Sequence, residues 1–133
     1  MANISAQDIQ QIITNPERAD LIVKYADILG NELARPLTTA QIRALFGEVR
    51  QIQGQMSIEH KKAWRRLYLL KPKIAYRVRR APGQGVKMLA DVLNPALDEV
   101  LKAKDEPTQK AYFKNFVEFF EAILAYHKYY GGN

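Results

Sequence analysis

The chain has no cysteine, one tryptophan and two histidines in 133 residues, and each scarcity closes a route. Without cysteine there is no disulfide, no thiolate nucleophile and none of the usual structural zinc sites, although this alone does not fix a reducing compartment. His60 and His127 show no metal-ligand spacing such as HExxH. No stretch nears the ~20 apolar residues of a membrane span, and the opening MANISAQDIQQII lacks the positive leader and apolar run of a secretory signal. Gly83 and Gly85 in APGQG are followed by no lysine-serine pair, so they form no phosphate-binding loop. A nucleophile elbow and a dinucleotide fingerprint are also missing. Val, Ile and Thr nowhere alternate with polar residues over a useful length, which disfavours strands. The expectation is a soluble, cytoplasmic, non-enzymatic protein with no cofactor, no metal and no membrane partner.

What is present is helical. At 47% hydrophobic and 26% charged the composition is globular, and this length suits one domain, here 1–133, able to bury roughly two-thirds of its unfolded surface. Ser5 with Asp8 resembles a capping box, and Asn15-Pro16-Glu17 supplies an N-cap, a first-turn proline and an acid for a helix to Leu33, closed by Pro36. Thr38 and Gln41 repeat the capping box ahead of Ile42, Leu45, Phe46, Val49, Ile52 and Met56, spaced at helical steps. Ser57 is expected to cap the next helix, in which Pro72 either makes a kink or divides two helices. APGQG is a turn or mobile loop. Asn94-Pro95 marks a kink or a new start, and Asp105 with Pro107 opens a last helix that Gly131 stops. The predicted fold is all-α, a compact bundle of five to six helices.

Charge is unevenly distributed. Between Arg43 and Arg80 stand eleven Lys/Arg and two Glu, a local +9, which leaves −3 for the rest of a chain whose total is +6. WRRLYLLKPKIAYRVRR, residues 64–80, holds seven basic side chains and no acid. Such a patch is either a solvated face or an attractor of nucleic acid, acidic lipid or an acidic protein surface. Helical spacing orders it into rows: Arg43 with Arg50; Lys61 with Arg65; Lys62 with Arg66; then Lys73, Arg77 and Arg80. Few acids lie nearby in sequence, so these like charges repel until a polyanion relieves them. Arg43 and Arg50 stand about 10 Å apart along a helix, enough to reach several phosphates. Tyr68 and Tyr76, set among the charges, either stack on bases or sit at helix boundaries.

The last helix carries aromatic or aliphatic groups over about half its circumference, from Tyr112 through Phe116 and Phe120 to Tyr126. It is therefore either the central helix of the bundle or one that leaves part of its stripe for another subunit. His127 follows this apolar side and reads as structural; His60, beside Lys61 and Lys62, has no assigned role. Glu118 and Glu121 belong to a solvated face.

Three segments, LTTAQIRALFGEVRQIQ (37–53), LYLLKPKIAYRVRR (67–80) and FKNFVEFFEAILAYHKYYGG (113–132), resemble blocks of the small helical subunit of type III-A CRISPR interference complexes, the Csm-type effectors. The resemblance covers about 37–132, and residues 1–35 match only as helices of suitable length. The family often has a small residue near Val78 or Arg79. The resemblance implies a non-catalytic subunit of an RNA-guided antiviral complex, with copies lined up beside guide RNA and target RNA and contacting their backbone without reading sequence. Target RNA cleavage belongs to the repeated backbone subunit; DNA cleavage and cyclic oligoadenylate synthesis belong to the large one. Implied partners are the two RNAs, other subunits and further copies of the chain; the sequence does not fix whether the isolated chain forms a homodimer. Arg43, Arg50, Lys71, Lys73, Arg77 and Arg80 fall within the matching blocks; Lys61, Lys62, Arg65 and Arg66 rest on charge geometry. The alternative is a basic scaffold docking on an acidic protein.

Overall fold

A computed structural model describes residues 3–133. Six α-helices follow one another with no strand among the described residues: α1 Ala6–Thr14, α2 Ala19–Leu33, α3 Thr39–Met56, α4 His60–Arg80, α5 Gly85–Leu101 and α6 Glu106–Tyr129. Local chemistry sets most of the ends. The Thr38–Gln41 capping box is complete, each side chain bonding the other's backbone N–H. The Asp105 side chain accepts the N–H of Thr108 at the start of α6, and the Asn15 side chain accepts that of Glu17 in a 3-10 turn, Pro16–Arg18, ahead of α2.

Two expected caps differ. Ser5 accepts the N–H of Asp8, but the Asp8 carboxylate receives the Tyr25 hydroxyl from α2 rather than closing a box. Ser57 ends α3 instead of opening α4, which begins after Glu59 with no side-chain cap. Neither proline divides a helix: α4 runs through Pro72 and α5 through Pro95, both exposed, where water can solvate the carbonyl that proline leaves unpaired.

α6 packs against α1, α2, α3 and α5. Phe113, Phe116, Phe119 and Phe120 are all buried at its centre, so most of its broad apolar stripe is consumed within the chain, with Tyr112, Leu124 and Tyr126 partly buried. Phe120 meets Phe46 of α3 edge-on at 5.1 Å. Close helix approach requires Gly30, where a Cβ would collide with Tyr126 and the His127 backbone. Gly85 is likewise required, because a Cβ there would run into the Pro36 carbonyl. That contact pins the start of α5 beneath the α2–α3 connection. His127 is buried, with its Nε2 2.6 Å from the Leu37 carbonyl oxygen. Val78 packs against the core within an unbroken α4.

α3 and α4, joined by residues 57–59, pack directly and form one side of the bundle. α3 turns Ile42, Leu45, Val49, Ile52 and Met56 inward, and α4 turns in Ala63, Leu67, Leu70 and Ile74. All ten basic positions singled out above lie on this pair.

Candidate nucleic-acid interface

With about 100° per residue, the inward face of each helix fixes where its cations point. On α4, Lys62, Arg66, Lys73, Arg77 and Arg80 line the flank toward α3. Lys61 and Arg65 point outward with Arg79. Lys71 falls on the opposite flank, where its ammonium pairs with Asp98 of α5. On α3, Arg43 and Arg50 lie on the flank away from α4, and Arg50 reaches Glu121 of α6 at 3.8 Å while covering the Phe46 ring.

The cations are therefore less free of acids than their sequence neighbourhood implies. Glu48, 18% exposed at its side chain, takes Arg66 at 2.7 Å and Lys73 at 3.2 Å on its two oxygens. Burial alone would raise its pKa, but hydrogen bonds from Arg66 and Lys73, with their charges, hold the carboxyl below its ordinary value. Arg66 also donates to Gln55 and Gln51. Lys62 pairs with Glu59 at 2.9 Å; that hydrogen bond lowers the carboxyl and raises the ammonium. Asp98 and Glu121 stand 27 and 71 positions from their partners, too distant for helical spacing to reveal. Arg43, Lys61, Arg65 and Arg77 have no acid partner among the described residues. Arg80 instead lies over the Tyr76 ring at 5.6 Å and donates to its hydroxyl.

Between the Arg43–Arg50 row and the α4 row runs the outward surface of α3, made of Ala40, Ala44, Gly47, Gln51 and Gly54, all half-buried or exposed. Gly47 and Gly54 are telling, because a Cβ at either would meet nothing within 4 Å. Glycine inside an exposed helix costs about 1 kcal/mol relative to alanine, and no packing among the described residues asks for it. The result is a smooth lane with cations along both margins.

A family model described as Csm2 Type III-A matches residues 16–133. The chain belongs to the Csm2 family. No curated protein and no solved structure matches it. Membership in the Csm2 family places the chain among the small subunits of type III-A CRISPR effector complexes. The Csm2 match begins ahead of α2, so it takes in a helix that the resemblance over 37–132 had left out, and it contains every basic residue described above. Among the described residues, no helix is long and apolar enough to cross a membrane.

Sequence reading missed the lane, whose signal was two glycines seven apart in an otherwise strong helix. It also missed a groove at the open end of the α3–α4 pair. His60 is neither free nor aimed at solvent: its Nε2 lies 2.6 Å from Gln109 Oε1 at the start of α6, and its ring stacks on Trp64. Tyr68 and Tyr76 are 50% and 60% exposed, so both rings remain accessible.

Proposed function

We propose that this Csm2-family chain is a non-catalytic subunit that holds the backbone of guide or target RNA on its α3–α4 face without reading sequence. The observation that carries this reading is the lane itself: mostly small residues between two cationic margins, with glycines that no contact among the described residues requires. A phosphate strand lying there approaches the α3 backbone closely. Arg43 stands on one margin and Arg77 and Arg80 on the other, while Lys61 and Arg65 extend the positive field outward. Arginine suits this role because its guanidinium grips phosphate with two parallel hydrogen bonds. The cations already bound to Glu48, Glu59, Asp98 and Glu121 shape the field and fix side-chain geometry, and they contribute less directly to phosphate contact.

The test is a salt series. The triple variant Arg43→Ala/Arg77→Ala/Arg80→Ala should weaken binding of unrelated single-stranded RNAs equally. It should also flatten the slope of log affinity against log salt by about 0.7 per lost contact, about 2 in all. An unchanged slope in a folded triple variant would sink the reading. Partners retained in full after exhaustive ribonuclease treatment, with no RNA co-purifying, would favour a scaffold that docks on acidic protein.

A further inference from the structure

α4 ends at Arg80, residues 81–84 bend away, and α5 starts at Gly85 under Pro36. The last turns of α4, the first of α5 and the first half of α3 together line a groove of about 670 Å³. That size lies within the roughly 300–1,000 Å³ of small-ligand sites. Its floor is aliphatic, formed by Leu45, Val86 and Leu89, and its walls include Pro72 and Ala81. Tyr76, Arg77 and Arg80 stand at its rim. Glu48 and Lys73 also line it, but both Glu48 oxygens are engaged, by Arg66 and by Lys73, so Arg77 and Arg80 remain as the anion-seeking groups.

We propose that this groove receives one nucleotide turned out of the RNA strand, its base laid on the aliphatic floor beside Tyr76 and its phosphate held by Arg77 and Arg80. The proposal rests on the backbone-binding reading and adds a base site to it. Charge complementarity selects an anion, and the apolar floor selects a flat hydrophobic group attached to that anion. A nucleotide carries both in one unit, whereas an acidic side chain by itself carries only the charge. Stacking tolerates any base, since every base offers a π-face, so the site adds affinity without sequence choice. The Tyr76 ring, with the Arg80 guanidinium 5.6 Å from its centroid and much of its surface still exposed, gives the rim a planar edge.

The experiment uses the full chain and two single-stranded RNA probes of equal length, one intact and one abasic throughout, titrated over a salt series. The intact strand should bind about tenfold more tightly, with the same salt slope for both. Ala81→Trp, which fills the groove without removing charge, should abolish that gap and leave affinity for the abasic strand unchanged. Should Ala81→Trp fail to fold by thermal melting, Tyr76→Ala, at an exposed ring, should narrow the gap at least threefold. Equal affinity of the wild-type chain for both strands overturns the base site and leaves backbone binding standing, as does a gap that a folded variant does not alter. A flat salt slope with the abasic strand overturns both. Binding of a polyglutamate peptide that Ala81→Trp abolishes, without any base-dependent gap, assigns the groove to acidic protein and overturns the proposal.

Discussion

α3 and α6 are both amphipathic helices in contact with each other, yet they spend their residues differently. α6 buries Phe113, Phe116, Phe119, Phe120 and Ile123 in one chain-wide core, and neighbouring helices cover most of its sides. α3 buries a single strip and leaves its opposite side small and smooth, with Gly47 and Gly54 meeting nothing. The difference separates positions answering to packing from positions that packing does not explain. Gly30 and Gly85 belong to the first group, because backbone or side chain occupies the space a Cβ would take.

The sharpest way to stress this contrast is Phe116→Ala. It should destabilise folding by about 3–5 kcal/mol in a denaturant titration, while RNA affinity per folded molecule stays unchanged. Gly85→Ala should be destabilising by more than about 1 kcal/mol, since the Pro36 backbone must move.

Glu48→Gln sits on the boundary between the two groups and should cost about 1–2 kcal/mol, the scale of hydrogen bonds to a charged group discounted for the partial exposure of Lys73. Its folded pKa is lowered, so its stabilisation is present above the ordinary carboxylate value of about 4.3 and disappears as pH falls through the depressed folded value. Wild type and Glu48→Gln should therefore converge in stability under acid.

Gly47→Ala and Gly54→Ala should each raise stability by about 0.5–1 kcal/mol, the opposite sign to Gly85→Ala. A loss of stability at Gly47 or Gly54 would break the comparison. The smallest effect is expected at Asp27→Asn. The hydrogen bond to Asp27 pushes the Tyr130 hydroxyl up to about 12, so the variant's tyrosinate absorbance should titrate nearer the ordinary value of about 10. Because the folded pKa is raised, the associated stability is complete below the ordinary tyrosine value and is lost as pH rises through the folded one.

Helix ends were legible where they depend on near neighbours. Thr38 with Gln41, Asn15-Pro16 and Asp105 act over two or three residues, the range over which sequence and space coincide. Ser57 misled because a capping residue type can also end a helix, and the α3 core strip continues to Met56. The basic candidates were visible as helical rows, but which of them remain unpaired was not. Lys71 and Arg50 meet acids on α5 and α6, and no rule of spacing within one helix predicts those meetings. The groove was hidden for a similar reason: Leu45, Tyr76 and Val86 become neighbours only when three helices converge.

Periodicity, capping chemistry and the regional excess of cations were written in the order of residues, because each is a property of one helix or its ends. The pairing of Glu48 with two cations, the empty space over Gly47 and Gly54, and the opening between α4 and α5 came only with packing. Through-space distance decides electrostatics and shape, and chain order does not encode that distance between helices.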